Sequence, residues 1–306
     1  MSKTDWHPVE PDIQTACSRF QLPLEEIAAG HIPAVVLRGA WSPQYCSDLV
    51  QRLIREELLY EAGKPVPPKF QKQSIPEGYY REGHSSVPSF AWQAQAATGK
   101  NRIDIGTSLG YRGSSPETFF SSSLETNRQF DRLFQDHPNP IRLLYESLAA
   151  LAVNKSVVTA HEPDGSEYGA AIIRAHYGGY TYRPHFDSVR LREKRENYAV
   201  HSFEHQFAGV LVLQNSTAHG RTAQAILHQC LWEPELDPHL KAGTFYDYAA
   251  QKDLASVEVC LEPGDLYFFN TRCIHEVPGV AGDQPRIVLA TFIGFSSDRD
   301  EIFVWS

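Results

Sequence analysis

His185 and Asp187 stand two residues apart in YRPHFDSVR, residues 182–190, just after a proline. In an extended strand, positions i and i+2 share a face, so these two side chains can converge on one ion while Phe186 points the other way. An imidazole nitrogen and a carboxylate oxygen both suit a divalent transition metal. Two donors are not a site, however, and H-x-D alone is equally explained by a surface histidine and a turn aspartate. A third donor is available in PGDLYFFNTRCIHEVPGV, where His275 follows a β-rich run launched by the turn Pro263-Gly264-Asp265. Eleven residues later Arg286 opens the apolar strand RIVLATFIGF. A guanidinium set among Ile, Val, Leu and Phe requires an anionic partner, because an unpaired charge in an apolar wall is expensive. A ligand carboxylate would be one.

These residues lie in the part of the chain that reads as sheet. After residue 165 come the short β-rich runs AAIIRAHY, FAGVLVL, AQAILHQ, VEVCL, LYFF, IVLATFIGF and EIFVW, punctuated by turn signals such as Gly178-Gly179. Many short strands without long helical patterns between them predict a sandwich or jelly roll, not parallel βαβ units. The first half is mainly helical. A strand PAVVLRG (33–39) meets Ser42-Pro43, a cap followed by proline at the first helical position, and Tyr45, Leu49 and Leu53 with Val50 and Ile54 repeat at helical spacing. Asn139-Pro140 opens a second helix in the same way, with Ile141, Leu144, Leu148 and Leu151 on one face. Between them, about 60–124 is Gly/Pro/Ser-rich and too irregular for elements; loops of such length commonly serve as lids. The expected organisation is a single domain over 1–306, with helical support and lid in 1–165 and a catalytic core in 166–306.

Composition narrows the partners. The balance of 28 Lys+Arg against 37 Asp+Glu, a net charge of -9, argues against a broad nucleic-acid footprint. The opening MSKTDWHPVEPDIQ lacks the apolar segment of a signal peptide, and no stretch approaches the roughly 18 apolar residues of a membrane span. The expectation is a cytoplasmic protein with no membrane partner; the sequence is silent on oligomeric state. Five scattered cysteines, an odd number without a C-x-x-C pair, read as reduced thiols. His201 to His205, HSFEH, matches the H-x-x-E-H pattern of zinc peptidases, but that site needs a helix, and Gly209 with GVLVL follows too closely to leave room.

Two imidazoles and one carboxylate form the facial triad that holds non-haem Fe(II) with positions left open. The ordered set H-x-D, distal His and following Arg, spread over β-rich segments, resembles the Fe(II)/2-oxoglutarate-dependent dioxygenase superfamily, and YGGYTYRPHFD is similar to the strand-turn-strand entrance of prolyl-hydroxylase-like members. The resemblance covers about 166–306, and more loosely 33–58. It implies a mainly β fold with flanking helices around a double-stranded β-helix (jelly-roll, cupin-like) core. It also implies Fe(II) on His185, Asp187 and His275, with 2-oxoglutarate and O2 as co-substrates and Arg286 on the distal carboxylate of 2-oxoglutarate. Many members carry a hydroxyl two residues after this arginine, where this chain has Val288. A second donor is therefore expected elsewhere, Tyr177 first and Tyr182 next, against the reading that both are core aromatics. Arg174 is an odd number of residues from Tyr177 and is expected to face away from the co-substrate.

From PGDLYFFN through His275, Arg286 and IGFSSDRDEIFVWS, order and spacing resemble more narrowly the carrier-protein-independent halogenases of indole-alkaloid pathways. Those enzymes have glycine where this chain has Asp187. Loss of the carboxylate opens a coordination position for chloride, which Asp187 would occupy. The resemblance then implies hydroxylation of an unactivated C–H bond in a small molecule, amino-acid-like or a natural product, without halogenation. Two alternatives stand beside it: a peptidyl or prolyl hydroxylase, which needs an open groove at a strand edge, and a non-catalytic metal-binding β-barrel, for which Arg286 has no use. The segment 60–124 and the insertion 216–256, with Trp232, Phe245 and Tyr246, are the expected covers of the site, against the reading that these aromatics are plain packing.

Overall fold

The structure, a computed structural model, describes residues 6–10, 12–71, 102–110 and 115–306. Most of the segment read as a lid, 72–101 and 111–114, lies outside the described residues. The described strands are β1 (Val35–Leu37), β2 (Arg102–Ile105), β3 (Ser156–Thr159), β4 (Ile172–His176), β5 (Tyr182–His185), β6 (His205–Gln214), β7 (Thr217–Ala218), β8 (Arg221–Thr222), β9 (Ala225–Leu231), β10 (Ser256–Val259), β11 (Leu266–Asn270), β12 (Cys273–Val277), β13 (Arg286–Phe295) and β14 (Glu301–Trp305).

Strands β6 and β13 are apolar almost throughout because both of their faces are covered. They form the centre of a large sheet ordered β1-β11-β6-β13-β14-β3, and the first half of β13 also pairs with β4, which pairs with β2. A smaller sheet runs β10-β9-β12-β5. Every ladder in the two sheets is antiparallel except β14 with β3. Alternation then sorts the side chains into layers. Between the sheets, Val210, Tyr267, Val288 and Ala290 from the large one meet Ala225, Leu227, Val259 and Val277 from the small one. Behind the large sheet, Leu211, Phe268, Leu289 and Ile293 pack on Leu49, Leu53, Leu144 and Leu148 of the helices. Behind the small sheet lies a separate cluster of Phe186, Leu236, Phe245 and Ile274. This is the expected jelly roll with flanking helices.

The helix starts follow their caps. Ser42 accepts from the Gln44 N–H at the head of Pro43–Arg55, and Asn139 accepts from the Ile141 and Arg142 N–H groups at the head of Pro140–Ala152. A third long helix, Pro116–Phe134, begins inside the segment read as irregular. Ser115 caps it by accepting from Thr118 N–H, with Pro116 following. Its buried face runs Phe119, Ser123, Thr126, Phe130 and Leu133, and the two hydroxyls in that stripe hide the helical period. The large sheet also takes β1, β2 and β3 from before residue 165. The turn before β11 needs its glycine: Gly264 has φ +99°, and a Cβ there would lie 2.2 Å from the Trp41 carbonyl oxygen. His201 sits in the short 3-10 turn Ala199–Ser202 and His205 opens β6, so HSFEH has no helix on which to share a face. Among the described residues no helix is long and apolar enough to cross a membrane.

Candidate metal and co-substrate site

Antiparallel pairing of β5 with β12 sets His185 directly opposite His275. Cross-strand partners share a face, and the two ring centroids are 4.2 Å apart. Asp187 lies just beyond β5 and is pinned to the turn before β12: its backbone N–H donates to the Thr271 carbonyl at 2.9 Å, and Thr271 Oγ1 donates back to the Asp187 carbonyl at 2.8 Å. One donor atom from each of His185, Asp187 and His275 lies within 4.8 Å of the other two. The His185 and His275 Nε2 atoms stand 3.6 and 3.7 Å from Asp187 Oδ2. These separations exceed hydrogen-bond length, and they suit donors sharing one ion through bonds of about 2.0–2.2 Å.

The surrounding contacts orient each donor. His185 Nδ1 is 2.7 Å from the Arg183 carbonyl and His275 Nδ1 2.8 Å from the Cys273 carbonyl. A carbonyl only accepts, so Nδ1 carries the proton in both rings and each Nε2 lone pair faces Asp187. Asp187 Oδ1 accepts from Arg192 Nη1 at 2.8 Å, and the same nitrogen donates to the Phe186 carbonyl; Oδ2 is left toward the histidines. Burial opposes ionisation of Asp187, but His185, His275 and Arg192 outweigh it and hold the carboxyl well below its usual range. Burial pushes His275 down and favours its neutral ring. A carboxylate and a neutral imidazole are the forms that bind metal.

Arg286 heads β13 on the interior face it shares with Val288 and Ala290, and is 6% exposed. No carboxylate pairs with it among the described residues. Burial lowers its pKa, while Tyr267 and Tyr182 favour the charged form. Its register partner on β4 is His176, whose Nδ1 lies 3.4 Å from Arg286 Nη1 and whose Nε2 lies 3.0 Å from the Tyr182 hydroxyl. The Tyr182 ring stacks 5.8 Å from that of His185. A continuous line thus runs from Arg286 through His176 and Tyr182 to the His185/Asp187/His275 group.

Tyr177 is not brought to this line. It belongs to the core layer behind the large sheet, stacked 4.1 Å from Tyr60 and donating its hydroxyl to the Tyr60 carbonyl at 2.8 Å. Arg174 does face away from Tyr177, as alternation requires, but that puts it on the Arg286 side, paired in register with Val288. Arg174, not Tyr177, therefore shares the face of Arg286. His176 escaped sequence reasoning, although IIRAH carries a signal in its polar residues at i and i+2. Arg102 and Asp104 on β2 escaped it too; they form a buried two-point ion pair at 2.8 and 2.5 Å, with Arg102 opposite His176.

The insertion does not cover the interior with the aromatics expected to do so. Trp232 stacks on Phe186 at 4.4 Å, and Phe245 packs with Phe186 and Ile274. That is the outer face of the small sheet, opposite His275. Phe186 points away from the donor group, as its position between His185 and Asp187 predicts.

The family model of the carrier-protein-independent halogenase WelO5 matches residues 10–306. No curated protein matches the chain. Among solved structures, an N-substituted L-amino acid dioxygenase from Burkholderia ambifaria AMMD in complex with alpha-KG is 14% identical, covering 92% of this chain and 90% of that one with a TM-score of 0.53. The epimerase SnoN from nogalamycin biosynthesis is 13% identical, covering 92% of this chain and 86% of that one with a TM-score of 0.43. The Burkholderia likeness shows the fold. The family match, over nearly the whole length, shows more: the chain belongs to the carrier-protein-independent halogenase WelO5 family, within the Fe(II)/2-oxoglutarate-dependent oxygenase superfamily.

Proposed function

We propose that this oxygenase hydroxylates an unactivated C–H bond of a small molecule and does not halogenate, with His185, Asp187 and His275 holding Fe(II) and Arg286 and Tyr182 receiving the distal carboxylate of 2-oxoglutarate. The observation that carries this reading is the placement of Asp187. Its backbone is tied to Thr271, its Oδ1 to Arg192, and its Oδ2 is aimed between the two Nε2 atoms. The halogenase pattern has glycine at this position, which frees a place for halide; here a fixed carboxylate would fill it.

Two neutral imidazoles and one carboxylate are a donor set suited to non-haem Fe(II). Bound there, Fe(II) with 2-oxoglutarate and O2 supplies the oxidising chemistry, in which 2-oxoglutarate becomes succinate and carbon dioxide and one oxygen atom reaches the substrate. The protein's part is placement. The Arg286 fork offers a carboxylate two parallel charged hydrogen bonds, and the Tyr182 hydroxyl stands beside it through His176. Val210, Leu227, Val288 and Ala290 line the space between the sheets with apolar surface, which limits water there. A free small molecule accords with a family named for independence from carrier proteins.

The test is anaerobic reconstitution with Fe(II) and 2-oxoglutarate, followed by oxygen and a library of amino-acid-like compounds, natural products and short peptides, reading succinate release. Hits are repeated with and without chloride and their products weighed by mass spectrometry. A product heavier by one oxygen is expected, from small molecules and in either medium. Chlorinated product as the main output, or turnover confined to peptides, overturns the reading.

A further inference from the structure

The proton order along Arg286, His176 and Tyr182 follows from residue types alone. A guanidinium only donates, so His176 Nδ1, 3.4 Å from Arg286 Nη1, is the acceptor. The single ring proton then sits on Nε2, and at 3.0 Å it points at the Tyr182 oxygen. That oxygen is an acceptor toward His176, so the hydroxyl proton is left to point elsewhere; among the described residues Tyr182 has no other hydrogen-bond partner. His176 is 4% exposed, and burial followed by the charge of Arg286 keeps the ring neutral. The opposite tautomer would set an N–H against the guanidinium and draw the Tyr182 proton onto Nε2.

We propose that His176 is a positioning residue for the co-substrate: the tautomer imposed by Arg286 frees the Tyr182 hydroxyl to donate to the same carboxylate that Arg286 binds. This rests on the reading that 2-oxoglutarate binds at Arg286. The arrangement replaces the hydroxyl that Val288 cannot provide. A carboxylate accepts only, so a tyrosine whose proton was committed to imidazole would offer it lone pairs and repel it. Arg286 and His176 face each other across the β4–β13 ladder, while Tyr182 opens the strand that ends in His185, so the hydroxyl belongs to a residue on the strand that carries the metal donors.

The experiment is calorimetric titration of 2-oxoglutarate into Mn(II)-loaded protein, where nothing turns over, for the wild type, His176→Gln, Tyr182→Phe and the double variant. The parallel ligand is 2-oxobutyrate, which keeps the keto-acid head and lacks the distal carboxylate. Each single variant is expected to weaken 2-oxoglutarate binding about tenfold or more, the usual scale for a hydrogen bond to a charged group, with Mn(II) affinity and 2-oxobutyrate binding unchanged. The double variant should bind no more weakly than Tyr182→Phe alone, because His176 acts through that hydroxyl. Additive losses in the double variant, or an equal loss for 2-oxobutyrate, would make His176 a packing residue and overturn the proposal. So would wild-type affinity in Tyr182→Phe, a variant that leaves the buried imidazole in place. Mn(II)-loaded wild type that takes no 2-oxoglutarate at all overturns the functional reading and the relay together, an outcome distinct from His176→Gln binding as tightly as wild type, which overturns the relay alone.

Discussion

Strand β12 carries a histidine–carboxylate group on each of its faces, and the two differ in whether their atoms are spent. On the outer face, His228 Nε2 lies 3.0 Å from Glu276 Oε1, and the Tyr246 hydroxyl donates to Glu276 Oε2 at 2.5 Å. His228 and Glu276 are both buried, and each carboxylate oxygen of Glu276 has a protein partner. On the interior face, one residue earlier, His275 meets His185 and Asp187 with each Nδ1 tied to a carbonyl, while both Nε2 atoms stop 3.6 and 3.7 Å short of Asp187 Oδ2. Both groups set imidazole against carboxylate. The outer group is a closed clasp that ties the helix Phe245–Gln251 to the sheet; the inner group converges without closing. Completeness of hydrogen bonding, not composition, separates a cluster that holds a fold from one that can hold an ion.

The strongest way to break this contrast is to remove one member of each group. His275→Ala should cost Mn(II) affinity more than about a hundredfold, since losing a ligand exceeds the 10–100-fold typical of losing a residue that merely orients one. Glu276→Gln, on the next residue, should leave it within a few-fold. In denaturant unfolding of the metal-free protein the ranking reverses: Glu276→Ala leaves His228 and Tyr246 without their acceptor, at about 2–3 kcal/mol. Metal loss in Glu276→Gln would show that the clasp is part of the site.

A second pair tests the co-substrate end. Arg286→Ala should raise the 2-oxoglutarate requirement about 10–100-fold and the substrate requirement much less, because the charged two-point contact is lost from one ligand only. Trp232→Ala, stacked on Phe186 behind the small sheet, should change neither. Equal effects of Arg286→Ala on both ligands would mean that the arginine has another task.

What the sequence made legible is what depends on short-range parity. His185 and Asp187 share a face because they are two apart in extended chain, and the apolar alternation of the later strands defines the sheets. The caps at Ser42-Pro43 and Asn139-Pro140 place two helices. The helix Pro116–Phe134 was missed because Ser123 and Thr126 occupy its buried stripe. Parity also has no origin of its own: it relates Arg174 to Tyr177 correctly, yet cannot say which of them faces Arg286 until the β4–β13 register is known. For the same reason Trp232 and Phe245 read as a cover, when the chain instead carries them behind the small sheet.

Arg192 offers a smaller perturbation of the inner group alone. It fixes Asp187 Oδ1 at 2.8 Å and so leaves Oδ2 turned toward the two Nε2 atoms. Arg192→Ala should weaken Mn(II) about tenfold, at the mild end of the range for orienting residues, while Arg272→Ala, whose guanidinium binds the Trp232 carbonyl on the outer side, should leave metal affinity alone. Equal losses would place the control of Asp187 in the turn as a whole.

The smallest expected effect lies in the pH dependence of stability, and it separates the interior imidazole His176 from the clasp. Burial, together with the charges of Arg286, Arg102 and Arg174, holds His176 well below its ordinary value of 6.5 in the folded chain. The unfolded chain takes up this proton near 6.5 and the folded chain does not, so the unfolded state binds more protons as pH falls. Stability from keeping the ring neutral is therefore complete above about pH 6.5 and is lost progressively below it. One such group changes the unfolding free energy by about half to one kcal/mol between pH 7 and pH 6. His176→Gln removes the titrating ring, so the wild-type minus variant difference in unfolding free energy, measured on metal-free protein, should shrink by that amount over the interval, whatever the variant's absolute stability. A difference that stays flat with pH would show that the folded protein protonates His176 as readily as the unfolded chain does, and would remove the ground for a neutral ring accepting from Arg286.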